Sequence, residues 1–251
     1  MERNNKIHEN DFVITQAVIL AGGEGTRLRP ITLEIPKPLV PVQGRPILSW
    51  QLRWLARHGV ERVTVVIPPK WKEAFERWRS SVASTHASSP QVDLWVEPEP
   101  MGTMGALVHH LQGALGNEPT FVSNGDELKG LDLTALADFH VAHHPAVTIG
   151  LVRVPNPSDY GVAEMDGVRI ARFHEKPAIP PSTLISSGLY VVEPSVFAEV
   201  DRGKPFLMFE QDLFPQLASQ GRLAGCALEG PWFDCGTMER WERAIREWKE
   251  I

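Results

Sequence analysis

Cysteine is scarce: only Cys226 and Cys235 occur in 251 residues, too few and too irregularly spaced for a disulfide framework or a zinc site. That points to a reduced, cytoplasmic setting. Long apolar runs are missing too. No stretch approaches the ~20 residues that a membrane helix needs, which argues against a membrane partner. The opening MERNNKIHEND is polar, without the apolar core of a signal peptide, and reads as a short extension over residues 1–14. Positive charge is not in surplus, the formal net charge being −6. No basic stripe is therefore available for a nucleic acid partner. There is no internal repeat and no linker long enough to separate independent domains, so residues 15–251 are expected to form one domain. The balance, 43% hydrophobic and 22% charged, is that of an ordinary soluble globular protein.

Against this background one segment stands out, AVILAGGEGTRLRPITLEIPKPLVPV from Ala17 to Val42. The apolar run Ala17–Ala21 reads as a buried strand that ends in Gly22-Gly23-Glu24-Gly25-Thr26-Arg27. Glycines let the backbone turn tightly and bring its N–H groups close to an anion. Arg27 adds a rigid fork of donors suited to phosphate oxygens. Lys37, between Pro36 and Pro38, stands on a backbone whose freedom two rings have removed. Together these make a polyphosphate cradle. A dinucleotide-binding GxGxxG fails at Leu28, and a Walker loop fails because Gly25 is followed by Thr26-Arg27 rather than Lys-Ser/Thr.

Apolar β-rich runs alternate with helical patterns along most of the chain. Strands are expected at residues 17–21, 62–68, 92–96, 120–123, 147–154 and 187–192. Helices are expected at 46–58, 71–79, 103–115 and 133–143, with a last one from Met238. Leu133, Leu136, Ala137 and His140 fall on one helix face. Such alternation implies βαβ units and a mostly parallel sheet, with a ligand crevice at the carboxyl ends of its strands. Residues 80–89, SSVASTHASS, read as a flexible surface loop. Beyond Asp159 short strands and Pro-rich connectors suggest a smaller substrate-binding lobe. The domain thus divides near residue 150 into a 15–150 part and a 151–251 part.

Four further segments carry candidate chemistry. Asn124-Gly125-Asp126 puts a carboxylate at the carboxyl end of a strand. Asp234, in Trp232-Phe233-Asp234-Cys235-Gly236-Thr237, supplies a second. Taken alone an Asp after Gly is a turn residue; as a pair, Asp126 and Asp234 would suit Mg²⁺, which takes a few carboxylates plus substrate phosphate oxygens. In Phe173–Pro177, Lys176 is an ammonium beside a proline, suited to a phosphate monoester, and Glu175 could accept from sugar hydroxyls; a solvated charge pair is the plainer account. In Glu97–Thr103, Thr103 is a candidate helix N-cap, and Gly102 would let a planar ring lie against backbone. His140, His143 and His144 have metal-like spacing but no fourth ligand, and read as a wet helix end. The two adjacent histidines His109 and His110 and the eight tryptophans are assigned to packing and surface.

In this combination the chain resembles the nucleotidyltransferases that make nucleotide-sugars, the NDP-sugar pyrophosphorylases. The likeness runs from Ala17 to about Ala244. It comprises the LAGGxGTRLxPxTxxxPKPLxPV signature at Leu20–Val42, GTxGA at Gly102–Ala106, GD at Gly125-Asp126, FxEKP at Phe173–Pro177 and DxGT at Asp234–Thr237. Pro205–Leu213 resembles the FExD segment of the mannose- and heptose-1-phosphate guanylyltransferase branch. Two departures stand out. Ser186-Ser187-Gly188 replaces an Asn- or Thr-containing sugar motif, and Cys235 replaces an aliphatic residue, which should alter packing only.

The resemblance implies a Rossmann-like three-layer α/β fold with a mixed, mostly parallel sheet and a smaller sugar-binding lobe, the nucleotide-diphospho-sugar transferase fold. The left-handed β-helix domain of some relatives is not expected. It implies transfer of a nucleotidyl group from a nucleoside triphosphate to a sugar 1-phosphate, with Mg²⁺ as cofactor and pyrophosphate released. Leu20, Ala21, Gly22, Gly23, Gly25 and Thr26 would hold the nucleotide with Glu97, Gly102 and Thr103. Arg27 would grip the leaving phosphates, Lys37 would neutralise charge at the α-phosphate, and Asp126 and Asp234 would bind the metal. Gly161, Glu175, Lys176 and Ser187 would hold the sugar phosphate. Relatives specific for uridine or thymidine carry glutamine where this chain has Glu97. A carboxylate only accepts, and guanine N1–H and N2–H₂ offer it two adjacent donors, so GTP is favoured. Glu99 is a rival for that role, and UTP, CTP, dTTP or ATP remain open. A non-catalytic nucleotide-sugar-binding regulator, a transferase acting on a non-sugar phosphate, and a homo-oligomer remain open as well.

Overall fold

The computed structural model describes residues 14–83 and 89–250. Nearly all of the expected extension over 1–14 lies outside them, and Ile14 is buried in the core. Among the described residues nine strands form one sheet: β1 (Gln16–Leu20), β2 (Arg62–Ile67), β3 (Gln91–Val96), β4 (Thr120–Asn124), β5 (Val147–Arg153), β6 (Gly161–Asp166), β7 (Arg169–Glu175), β8 (Leu184–Val192) and β9 (Leu223–Ala227). Their spatial order is β3-β2-β1-β4-β8-β5-β9-β7-β6. β1 to β4 are mutually parallel, β5 and β9 pair in parallel, and only β7 and β8 run against the rest. This is the expected mixed, mostly parallel sheet. β6, β7 and β9 add to the six strands expected, because polar ARFHE and small AGC residues hide their period.

The three layers follow from alternation along the strands. Ala17, Ile19, Val63 and Val65 face one side, where Leu48, Leu52 and Leu55 of the helix Ile47–Arg57 meet Phe75 and Trp78 of the helix Lys72–Ala83. Val18, Val66 and Val122 face the other, against Met104, Leu107, Phe197, Phe209 and Phe214. Fully burying each such side chain contributes about 1.5–3 kcal/mol. The helix Lys72–Ala83 continues through Ser80–Ala83, the first part of the expected loop, and residues 84–88 lie outside the described residues.

Leu133, Leu136, Ala137 and His140 are the buried face of the helix Leu133–His143, as their spacing requires. His140 is a correction to the wet helix end. Its ring is buried and bonds Thr148 Oγ1 at 2.8 Å and Glu193 Oε1 at 3.1 Å, whereas His143 and His144 are exposed. Two short antiparallel ribbons complete the fold, Pro41–Val42 with Arg45–Pro46 and Glu127–Lys129 with Trp232–Asp234. The second ribbon joins the two halves of the chain beside the carboxyl end of β4.

Candidate active site

The carboxyl ends of β3, β2, β1 and β4 lie level. Leu20 pairs with Val66 and with Asn124, and Ile67 with Val96. Three hydrogen bonds carry the ladder one step past those ends: Ala21 N–H to Val66 O at 2.9 Å, Glu97 N–H to Ile67 O at 2.8 Å, and Gly125 N–H to Leu20 O at 2.9 Å. The chain then opens on all four strands around a cleft of about 510 Å³. Gly25 must be glycine there. Its φ is +61°, and a Cβ would sit 2.9 Å from Thr32 Cγ2. Thr32 further fixes the loop by donating its hydroxyl to Gly25 O at 2.8 Å.

Leu20, Ala21, Gly22, Gly23, Gly25, Thr26, Arg27, Lys37, Glu97, Gly102, Thr103 and Asp126 all line this one cleft. Its polar end gathers the charged groups. Arg27 is exposed and pairs with no carboxylate among the described residues. Lys37 is buried, its ammonium bonded to Asp126 Oδ2 and 4.0 Å from Asp234 Oδ1. Burial pulls the Lys37 pKa down, but the Asp126 charge and hydrogen bond, joined by Asp234, raise it above the usual lysine value. Burial works against ionising Asp126 in turn, and Lys37 nevertheless holds its carboxyl below the ordinary range.

Asp234 reaches this place from the far end of the chain because the short ribbon sets it opposite Glu127, next to Asp126. Asp234 Oδ2 accepts from Arg240 Nη1 at 2.6 Å and from the Tyr160 hydroxyl at 3.4 Å, which leaves Oδ1 facing Lys37. Arg240 also binds Asp159 and lies 5.1 Å from the Tyr160 ring centroid. Burial and the Asp234 charge push the Tyr160 hydroxyl up to about 12.

Asp126 and Asp234 fit a Mg²⁺ ion by donor chemistry, being hard oxygen ligands few enough to leave room for phosphate oxygens. No group of three or more His, Cys, Asp or Glu among the described residues could hold a metal by itself.

At the other end Glu97 is buried. Its Oε1 accepts the Met101 N–H at 3.0 Å, and Oε2 lies 2.9 Å from where a Cβ on Gly22 would stand. Burial raises its carboxyl pKa although the Met101 hydrogen bond opposes the shift. The rival Glu99 is exposed and does not line the cleft.

Two local expectations change. Thr103 caps no helix, since the helical turns begin at Gly105. Its hydroxyl instead donates to Glu210 Oε2 at 2.8 Å and accepts the Phe209 N–H at 3.0 Å. Gly102 lies against the chain's own Leu207, whose carbonyl oxygen would be 2.3 Å from a Cβ, at φ +79°.

The four candidate sugar-phosphate residues stand outside the cleft lining. Gly161 and Glu175 pair across β6 and β7, and Lys176 Nζ is 2.9 Å from Glu175 Oε1 on a left-handed backbone of φ +45°. Ser187 is not with them. Its hydroxyl donates to Gly150 O at 2.7 Å and is fully buried within the sheet.

Other groups were not singled out from the sequence. Glu127 and Lys129 form a buried ion pair of 2.8 Å, and Trp232 Nε1 donates to Glu127 at 3.2 Å. Burial pushes the Glu127 carboxyl up to about 7, the Lys129 charge and hydrogen bond opposing the shift and the Asp126 and Asp234 charges adding to it. Phe206, Met208, Tyr160 and Arg240 were also missed. The Pro205–Leu213 motif was the one signal that could have pointed to Phe206 and Met208. Cys235 is buried among Leu28, Val40 and Leu128, a packing role as expected.

Comparison with known proteins accords with this geometry. The fold matches that of a putative glucose-1-phosphate thymidylyltransferase from Bacillus anthracis with a TM-score of 0.83, over 92% of this chain and 94% of that one, at 23% identity. In sequence the chain is 36% identical over 230 residues to a mannose-1-phosphate guanylyltransferase of Mycobacterium tuberculosis, covering 90% of this chain and 62% of the relative. It is 36% identical over 224 residues to the mannose-1-phosphate guanylyltransferase catalytic subunit beta of Danio rerio, covering 88% and 61%. The chain thus spans about three fifths of the length of these relatives. Residues 16–250 match the nucleotidyl transferase family model, and the chain belongs to that family.

Proposed function

We propose that this protein transfers the guanylyl group of GTP to a sugar 1-phosphate, of which mannose 1-phosphate is favoured, releasing pyrophosphate. The observation that carries the reading is Lys37, buried in the wall of a glycine-lined cleft with Asp126 and Asp234 both at its ammonium. The names of the relatives, mannose-1-phosphate guanylyltransferases from a bacterium and an animal, supply the substrate pair.

In this mechanism a phosphate oxygen of the sugar 1-phosphate attacks the α-phosphorus, a new P–O bond forms, and the bond to the β-phosphate oxygen breaks. The protein positions the reactants and stabilises developing charge rather than forming a covalent intermediate. The glycine loop receives the triphosphate on backbone N–H groups, and Arg27 offers its unpaired guanidinium to the leaving oxygens. Lys37 neutralises charge at the α-phosphate from a rigid Pro-Lys-Pro backbone. Asp126 and Asp234 would hold Mg²⁺, which supplies further neutralisation of phosphate oxygens when bound. Glu97 accepts from the guanine edge, and Glu175 with Lys176 receives the sugar phosphate. Among the described residues no helix is long and apolar enough to cross a membrane, and a cytoplasmic location suits both the substrates and the free thiols.

The test is a pyrophosphate-release screen of the NTPs against a panel of sugar 1-phosphates with Mg²⁺. Highest kcat/KM for GTP with mannose 1-phosphate is expected. Nucleotide binding without pyrophosphate release for any pair would refute transferase activity.

A further inference from the structure

We propose that Phe206 is a nucleobase platform, its ring stacking on the purine of the bound triphosphate. This rests on the guanylyl-transfer reading and adds a specificity residue to it. The cleft has two chemically distinct ends. Arg27, Lys37 and Asp126 gather at one. Gly22, Glu97, Met101 and Gly102 gather at the other, joined by the Glu97–Met101 hydrogen bond and the close approach of Gly22 to Glu97. A triphosphate tail at the cationic end places its nucleoside at the second.

Phe206 and Met208 line the cleft beside Gly102, while the alternate residues Leu207 and Phe209 are buried in the core. Burial thus alternates along Phe206–Phe209, Leu207 and Phe209 turning inward and Phe206 and Met208 facing the cleft. The segment is pinned from both sides. Leu207 N–H donates to Met101 O at 3.0 Å, Met104 N–H to Leu207 O at 2.9 Å, Phe209 N–H to Thr103 Oγ1 at 3.0 Å, and Met208 N–H to Asp212 Oδ2 at 2.9 Å. Phe206 is nevertheless 52% exposed as a residue. A large apolar ring held at a cleft wall by a fixed backbone suits a flat partner, because ordering it on binding costs little entropy. Glu97 would read the edge of the base and Phe206 its face.

The experiment is calorimetric titration of wild type, Phe206→Ala and Phe206→Trp with GTP and, separately, with inorganic pyrophosphate, which has no base. Phe206→Ala is expected to weaken GTP by about ten- to a hundredfold, the range of alanine substitutions at stacking platforms. It should leave pyrophosphate affinity and the melting temperature unchanged, while Phe206→Trp keeps GTP affinity within a few-fold. If wild type binds GTP and Phe206→Ala binds it equally well, the platform is overturned while the guanylyl-transfer reading stands. Equal weakening of GTP and pyrophosphate would also overturn it, since the substitution would then be acting on the phosphate cradle. A wild type that binds pyrophosphate but not GTP would overturn both.

Discussion

Lys37 is the position where the electrostatic argument is most exposed to test. Its side chain is 7% exposed, and Lys37→Met removes the ammonium while keeping much of the volume. Asp126 then loses its direct partner and Asp234 a charge at 4.0 Å. Stranding one member of a buried pair costs about 3–5 kcal/mol. Asp126 is 36% exposed, so water takes up part of that charge, and about 2 kcal/mol is the expected loss. For a chain of this size that corresponds to a melting temperature lower by about 4–8 °C. Differential scanning fluorimetry with and without MgCl₂ reads it. Mg²⁺ should raise the variant's melting temperature more than that of wild type, because two carboxylates without their ammonium form an oxygen pair for a divalent cation. Turnover should fall by about 10²–10³-fold, as for loss of a transition-state donor. A variant that melts with wild type, whether or not Mg²⁺ is present, would refute the compensation argument.

Four further outcomes are expected. Asp126→Asn should cut kcat by about 10²–10³-fold in the pyrophosphate assay with a native circular dichroism spectrum; a near-normal rate would remove Asp126 from the chemistry. Lys176, with a side chain 60% exposed, should contribute little stability, so Lys176→Ala should raise the KM for sugar 1-phosphate by about tenfold with an unchanged melting temperature. Glu97→Gln should narrow the preference for GTP over UTP by about tenfold or more in kcat/KM, and an unaltered ratio would take Glu97 out of base reading. Because Glu127 is raised from 4.5 to about 7, the folded state holds its proton more tightly than the unfolded chain. Its stabilising contribution is complete below pH 4.5 and declines as pH rises through 7; urea titrations should show that slope, and Glu127→Gln with Lys129→Met should flatten it.

The parts of this molecule legible in its sequence are those where local chemistry and tertiary role coincide. The first strand, its glycine turn and the Pro-Lys-Pro lysine announce themselves, because φ-restricted residues and an isolated cation have few other uses at that spacing. The face of helix Leu133–His143 was equally legible, since a 3.6-residue period survives whatever packs on it. Ser187 was not. Its hydroxyl could serve a sugar or the neighbouring strand, and the choice depends on β5 presenting the Gly150 carbonyl 37 residues away. Thr103 fails as a cap for the same kind of reason, its hydroxyl being drawn off by Glu210 and Phe209 more than a hundred residues on. Lys129 and Glu127 look like surface charges in sequence, and only the ribbon with Trp232–Asp234 shows them buried.

That ribbon is also what makes the site a single object. Glu127–Lys129 follows the strand that ends at Asn124, and Trp232–Asp234 arrives from the C-terminal end of the chain. Pairing three residues from each fixes the separation of Asp126 from Asp234 more firmly than either loop could alone. The arrangement places acidic groups close together, and like charges in a buried setting repel. The fold answers with one cation for each acid: Lys37 for Asp126, Lys129 for Glu127, and Arg240 for the outer oxygen of Asp234. Arg240 reaches on to Asp159 at the entrance to β6, next to Tyr160, whose carbonyl accepts the Lys176 N–H at 3.1 Å, so the same ion network ties the acidic pair to the segment beside Glu175 and Lys176. The two halves of the chain are thereby held in register by charge as well as by backbone. Loosening either end of the network should be felt first in the alignment of attack, as a fall in kcat at unchanged nucleotide KM.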